Sequence, residues 1–316
     1  LDRSEETTTP DADLVKAEIV IAEGTDVVAE EILDDVVASG SKPSAEALLL
    51  KIETALEAGH EISFETAQLA GAYAHENREN DLGHELSQAY VVSLAASGAF
   101  DQSYQELARL KSELQLDRKQ VAQSRVLGFL AANADDMTFL KHIFADHAGP
   151  PGDMNSKVIH TASKRLLALG FSAKARAFLN LPAAGEQGRV RALLRAEASL
   201  LENHPRQAEM DLLGLTGDDV DLLRAKARSL AGEHLAAAQL YSAGNQPDMA
   251  KREAWLAEDW DMVLAANDPV LTDVAMLVKP VAAPAVMPPI PNDAGVVAPG
   301  RALLEASGST RHTIGA

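Results

Sequence analysis

GFSAKARAFL, at residues 170–179, and GEHLAAAQLY, at residues 232–241, follow one pattern. Each stretch begins with a residue suited to a left-handed turn, has a small residue five positions later, and ends with Leu or Tyr nine positions later. The pattern also occurs in GAFDQSYQEL at 98–107 and in NHPRQAEMDL at 203–212. We interpret the first residue as the end of one helix. The small residue then lets two helices approach closely, and the last residue fills the groove above it. Each stretch therefore predicts a helical hairpin.

The intervals between the four stretches indicate a repeat. Their first residues, Gly98, Gly170, Asn203 and Gly232, lie 72, 33 and 29 residues apart, and the first interval is twice 36. Repeats of paired helices are recognised by such a period, which is 34 residues in the tetratricopeptide repeat. The spacing therefore favours an array of helix pairs.

At these stretches the chain resembles the tetratricopeptide family, whose inter-helix turn carries Gly, Ala and an aromatic residue at the same offsets. The resemblance covers about residues 90–270. It departs in the first helix of each unit, where the family's Trp and Leu-Gly signature is replaced by Ser87, Tyr90 and Val91 in one unit and by Ile159, Ala162 and Ser163 in the next. The resemblance implies an all-α fold, a right-handed superhelical array of antiparallel helix pairs whose concave face binds a peptide or another protein.

The composition also favours helices packed on helices. Of the 316 residues, 47% are apolar but only 4% are aromatic, so Ala and Leu carry most of the burial. Only the run 15–21 is compatible with a strand, whereas a β-rich protein of this size should contain several such runs. The length exceeds that of a usual single core, so we expect either two domains or an elongated repeat.

Breaks in the helical pattern divide the chain into six predicted segments. These are a disordered acidic lead-in at 1–12, a first half of helical repeats at 13–146, a Pro/Gly break at 147–153, a second half at 154–277, a Pro-rich linker at 278–299, and a short docking helix, cut short by the last residue, at 300–316. In the second half we predict helices near 154–169, 172–181, 184–202, 205–214, 218–231, 234–243, 248–257 and 259–266.

Capping residues mark particular helix ends in the first half. We predict Ser44 and Ser63 at N-cap positions and Gly59 in a left-handed turn at the end of the helix that Ser44 begins. Leu69 is predicted to lie in the buried stripe of the helix after Ser63.

Charge and cysteine content exclude several functional classes. The formal net charge of -19 opposes binding to nucleic acid or to an anionic membrane surface. No stretch of about eighteen apolar residues is present, so we predict no direct insertion into a membrane. The chain has no cysteine, which excludes disulfides, thiolate zinc sites and a cysteine nucleophile.

Motifs for catalysis and cofactor binding are missing from the sequence. No phosphate-binding glycine loop, dinucleotide fingerprint or Gly-x-Ser-x-Gly turn occurs, and no two of the nine histidines have the i, i+4 spacing of a helical metal site. Acidic runs such as Glu30, Glu31, Asp34 and Asp35 are interpreted as a solvated helix face. We therefore predict no catalytic residue, no cofactor and no metal, and hence not an enzyme.

Two groups of side chains are candidates for contact with a partner. Trp255 and Trp260 are five residues apart and would form an aromatic ledge for a peptide; alternatively, both rings close the last hairpin of the stack. Positive charge gathers at Lys164, Arg165, Lys174, Arg176, Arg189, Arg191 and Arg195, which either face an acidic partner or line solvated helix faces. The predicted partner-binding residues are Arg189, Arg191, Arg195, Trp255 and Trp260.

The sequence thus predicts a non-enzymatic scaffold that binds a protein or peptide in a groove between helices. Two alternatives stay open: the helical superstructure of a larger enzyme, such as a cell-wall lytic enzyme, and a regulatory sensor of peptides. An Ala-rich, Lys-poor composition indicates a bacterial source, with the compartment open between cytoplasm and periplasm and a preference for the envelope. The oligomeric state is also left open.

Overall fold

The structure, a computed structural model, describes residues 9–110, 116–145, 154–266 and 268–278. These ranges contain no strand and seventeen helices: α1 (Pro10–Ala22), α2 (Asp26–Ala38), α3 (Ser44–Ala58), α4 (Phe64–Glu76), α5 (Asp81–Ala96), α6 (Phe100–Leu110), α7 (Leu116–Asn133), α8 (Asp136–Phe144), α9 (Ser156–Ala168), α10 (Ser172–Leu179), α11 (Gly185–Leu201), α12 (Pro205–Asp211), α13 (Asp218–Leu230), α14 (His234–Ala243), α15 (Pro247–Leu256), α16 (Trp260–Ala265) and α17 (Pro269–Val278). The predicted all-α class is confirmed for these residues. None of these helices is long and apolar enough to cross a membrane.

The helices belong to two compact units, Leu1–Glu202 and Asn203–Ala316. The predicted break at 147–153 lies outside the described residues, but the core on its two sides is continuous, since Leu127 of α7 and Ile159 of α9 share one apolar cluster. The chain therefore divides after α11. Of the predicted linker 278–299, only Val278 is described, as the last residue of α17; the rest of it and the predicted segment 300–316 lie outside the described residues. Residues 10–12 of the predicted lead-in belong to α1, which begins at Pro10, and residues 1–8 lie outside the described residues.

The odd-numbered helices from α3 to α11 form a continuous row in the first unit. α3 contacts α5, α5 contacts α7, α7 contacts α9, and α9 contacts α11. The helices between them pack alongside: α4 lies against α5, α6 against both α5 and α7, and α10 against both α9 and α11. Buried apolar residues of α5, α6, α7, α9, α10 and α11 form one cluster between the row and these neighbours. In the second unit each helix contacts the next in the chain, from α12 to α17.

The turns predicted from the sequence pattern have the expected geometry. Gly98, Gly170, Asn203 and Gly232 have φ values of 84°, 83°, 59° and 80°, all in the left-handed region. At three of these turns the next N–H donates to a carbonyl five residues back, as in the bond from Ala99 N to Leu94 O at 2.8 Å. The small residues five positions after the turns are all fully buried: Ser103, Ala175, Ala208 and Ala237. The residues nine positions after the turns are no more than 2% exposed: Leu107, Leu179, Leu212 and Tyr241.

The pattern also occurs where we did not predict it. Gly24 has φ 77°, and Ala29 and Leu33, five and nine positions later, are fully buried. Asn245 has φ 53°, and Ala250 and Ala254 follow it at the same offsets and are buried. Asn245 comes only one helix after Gly232. The pattern therefore marks individual turns between consecutive helices and does not define a fixed repeat length.

The predicted helix ends were correct in most cases. Ser63 caps α4, since its Oγ accepts from Thr66 N at 3.0 Å, and Gly59 ends α3 with φ 75°. The N-cap prediction for Ser44 was wrong: Pro43 is the N-cap, and Ser44 is buried in the first turn, where its Oγ donates to Val36 O at 2.9 Å. The prediction for Leu69 was also wrong. Its side chain is exposed, and α4 buries only alanines on its inner face.

Enlarging a small residue at a helix-to-helix contact should destabilise the first unit. Ala175→Leu places three further carbon atoms at a fully buried site, so we expect the free energy of unfolding to fall by about 1–3 kcal/mol. Ala177→Leu on the same helix is the control, because Ala177 is exposed and should tolerate the change. Urea titration followed by circular dichroism measures both variants. Equal stabilities for the two would contradict close packing at Ala175.

Candidate functional site

A groove opens on the face of the odd-numbered helices in the first unit. It has a volume of about 480 Å³, and we call it the α3–α7–α9 groove after the helices that enclose it. Its lining combines apolar, amide, hydroxyl and charged groups: Leu56 and Glu57 from α3; Arg125, Gly128, Phe129, Ala132 and Asn133 from α7; and Asn155, Lys157, Val158 and Thr161 from α9 and its N-cap.

The floor of the groove is one face of α7. The five lining residues of α7 fall at the i, i+3, i+4, i+7 and i+8 positions, so they share one side of the helix over about 12 Å. Gly128 lies at the centre of this face. A Cβ atom there would lie 3.3 Å from Val158 Cγ2, which is a tight contact. Glycine inside a helix is destabilising by about 1 kcal/mol relative to alanine, and here it allows α9 to lie close against α7.

The wall formed by α9 is fixed to the floor through its N-cap. Asn155 Oδ1 accepts from Lys157 N at 2.8 Å and so begins the helix. Asn155 N in turn donates to Ser124 Oγ on α7 at 3.2 Å, and Ser124 is buried. These two bonds set where α9 starts relative to α7.

Charges of both signs border the groove. Desolvation raises the pKa of Glu53 on α3, the nearby Arg125 opposes that rise, and the carboxylates of Glu85 and Glu57 add to it. Lys157 is exposed on the opposite wall. The groove can therefore receive a ligand that presents apolar, polar and charged groups together, as a peptide does.

Arg191, predicted to contact a partner, instead lies in the interior. It is only 3% exposed, and it donates to Leu181 O at 2.6 Å, to Pro182 O at 2.9 Å and to Ser156 Oγ at 3.0 Å. Burial, and then the charge of Arg195, lower its pKa. Arg191 thus joins α11 to α9 and to the loop before α11, and a partner could not reach it.

The other predicted cations are also engaged in packing. Arg195 is half-buried and donates to Leu179 O at 3.2 Å, and Arg189 is half-buried near the start of α11. Arg165 donates to Ala131 O at 3.1 Å and lies over the Phe139 ring at 4.6 Å. Arg176 bonds Glu202 Oε2 at 2.9 Å and Ser199 Oγ at 3.0 Å. Most of these basic side chains therefore join helices to one another, and Lys174 also lies over the Phe144 ring at 5.4 Å, while Lys164 is exposed.

Trp255 and Trp260 lie together in the second unit. Their ring centroids are 5.2 Å apart at 85°, an edge-to-face contact. Both rings are half-buried, and they pack against an apolar cluster built from α14 to α17: Ala238, Ala254, Val263 and Ala275. This position agrees with the alternative that the rings close the hairpin of α15 and α16.

A buried carboxylate in the second unit was not identified from the sequence. Glu253 on α15 is fully buried; its Oε1 accepts from Ser229 Oγ at 2.9 Å, and its Oε2 lies 2.7 Å from His234 Nδ1. The three residues come from α13, α14 and α15 and join them. Nothing in the local sequence distinguishes Glu253 from a surface glutamate. In the described ranges, no cluster of three or more His, Asp or Glu side chains is placed to hold a metal ion.

Comparisons of this chain with protein-family models, with curated proteins and with solved structures give no match.

Acid should destabilise the first unit through His160. This residue on α9 is 9% exposed, and burial, Arg191 and Lys164 together lower its pKa. Below the ordinary imidazole pKa of about 6.5, the unfolded chain therefore binds more protons than the folded chain, so the free energy of unfolding falls as the pH falls. His160→Gln should reduce this dependence below pH 6.5.

The matched control for His160 is His75→Gln, since His75 is exposed on α4. Urea titrations at a series of pH values between about 5 and 8 give the slope for each variant. If His160→Gln keeps the slope of the unsubstituted chain, the buried imidazole does not cause the acid sensitivity.

Proposed function

We propose that this protein is a non-enzymatic scaffold for protein–protein interaction, and that the α3–α7–α9 groove binds a peptide segment of its partner. The observation that supports this most is the groove itself, about 480 Å³ in volume and enclosed by three helices of one compact unit. Several of its lining residues are exposed to solvent, among them Glu57, Ala132 and Lys157, so an approaching chain can reach them.

The dimensions and lining of the groove suit a short peptide. A floor of about 12 Å accommodates three or four extended residues or about two turns of helix. Leu56, Phe129 and Val158 offer an apolar surface for one or two side chains, and aromatic residues are enriched at such contacts. Asn133 and Thr161 add amide and hydroxyl groups that can bond the peptide main chain.

We further propose that the helix pairs of the first unit are antiparallel and stack as a right-handed superhelix, as in the tetratricopeptide family. Short turns between consecutive helices favour antiparallel neighbours, and contacts between successive odd-numbered helices are those expected of stacked pairs. In such an array the odd row would form the concave face, which is where helical-repeat proteins bind their ligands.

Filling the groove should abolish peptide binding without unfolding the chain. Ala132 is exposed in the groove, so Ala132→Trp adds bulk there with little effect on the core. Peptides selected on the unsubstituted chain from a phage-displayed library of twelve-residue sequences should bind Ala132→Trp at least about tenfold more weakly, as expected when one well-packed contact is lost.

The control variant for this experiment is Ala177→Trp, which adds the same ring to an exposed alanine of α10, outside the groove lining. Fluorescence anisotropy with labelled peptides measures the binding of both variants. Selection of no peptide, or only of peptides whose affinity for Ala132→Trp matches that for Ala177→Trp, would contradict a peptide site in this groove.

A further inference from the structure

The hairpin of α1 and α2 combines strong negative charge with exposed aliphatic side chains. Residues 10–38 contain nine acidic residues and a single basic one, Lys16. On the same two helices, Val15, Ile19, Val27 and Val28 are between 48% and 66% exposed. α13 also carries three carboxylates beside an exposed aliphatic residue, Leu222, but it has three basic residues as well, whereas α1 and α2 together have one.

α1 is apolar on two opposite sides. On the inner side, Leu14, Ala17 and Ile21 belong to a cluster with α2 and α3. On the outer side, Val15 and Ile19 are four residues apart, so they are neighbours on the helix surface. Apolar residues on two opposite sides are typical of a helix that packs against other protein on both sides. In arrays of helix pairs, the solvent-exposed face of a terminal helix is normally polar.

Beside the outer side of α1, three carboxylates outnumber the single cation, Lys16, which is exposed and lies three residues before Ile19. Asp11 lies four residues before Val15, Glu18 lies three residues after Val15, and Glu23 lies four residues after Ile19, so each is a surface neighbour of one aliphatic residue. All three carboxylates belong to exposed residues. We define the outer α1 face by Val15 and Ile19 with these three neighbours.

We propose that the outer α1 face is a docking surface for a cationic amphipathic helix of a partner protein. Such a helix would place its apolar stripe over Val15 and Ile19 and its Lys or Arg side chains beside Asp11, Glu18 and Glu23. A second copy of this chain is the wrong occupant, since two outer α1 faces would bring like charges together. An anionic membrane is repelled for the same reason.

This surface is separate from the α3–α7–α9 groove. None of the residues that line the groove belongs to α1 or α2. A partner could therefore bind one surface while the other is free, and the proposal for α1 does not depend on the function proposed for the groove.

The test uses the full chain and a synthetic eighteen-residue peptide of Leu and Lys, patterned so that Leu occupies one helical face. Its two controls are a scrambled peptide of the same composition and a patterned peptide of Leu and Glu. By fluorescence anisotropy, the patterned Leu/Lys peptide should bind at least about tenfold more tightly than either control. Equal binding of the scrambled peptide would overturn the proposal, because general charge attraction would then explain the contact.

Two variants locate the contact. Val15→Ser with Ile19→Ser should weaken binding of the patterned peptide about tenfold or more and leave helix content unchanged, because both side chains already face solvent. The control, Leu213→Ser with Val270→Ser, removes two exposed aliphatic residues of the second unit and should leave affinity unchanged. If both double variants bind alike, the outer α1 face is not the site.

Sedimentation compares the oligomeric state of the unsubstituted chain with that of the variant carrying Val15→Ser and Ile19→Ser. We expect the two to have the same oligomeric state. If the unsubstituted chain is a dimer and the two serine substitutions dissociate it, then a second copy, and not a cationic helix, covers this face. Ala132→Trp should bind the patterned peptide normally, so that loss of groove function and loss of α1 function are distinguishable.

Discussion

The close approach of two helices at a fully buried small side chain is the contact on which the rest of this structure depends. At Gly170, for example, the chain leaves α9 in a left-handed turn, and five residues later Ala175 is in contact with the core on every side. A larger side chain at that position would separate the two helices. Because the same geometry recurs in both units, the helices can pack tightly with few aromatic residues.

Tight packing of small residues brings polar groups into the interior, and the structure pairs most of them. Arg191 bonds two carbonyls and a hydroxyl between α11 and α9, and Glu253 joins three helices of the second unit through Ser229 and His234. A buried charge without such partners would be strongly destabilising. These side chains therefore determine which helices lie side by side. Contacts between alanine and leucine side chains cannot do this, because they are non-directional.

The sequence predicted the helices well and their contacts poorly. The eight helices proposed for 154–266 all form, with bounds that differ by a few residues, because Gly, Asn and Pro mark each turn locally. A groove between helices was predicted, but none of the residues that line the α3–α7–α9 groove was, since α3 and α7 are brought together only by the packing of the intervening helices. Gly128, a glycine inside a helix, was the one local signal of it. The burial of Arg191 was not foreseen, because one-dimensional spacing cannot tell a charged residue on a solvated face from one that crosses to a neighbouring helix.

The proposed peptide site requires α3 and α9 to be held on opposite sides of α7 at a fixed separation, so that the groove stays open between them. The chain contains no cysteine, so Glu57→Cys and Lys157→Cys would carry two spin labels without further changes. Both residues line the groove and are exposed. Pulsed electron spin resonance should give a single narrow distribution of distances across the groove. A broad or two-peaked distribution would contradict the account, because α3 and α9 would then not form the walls of one site.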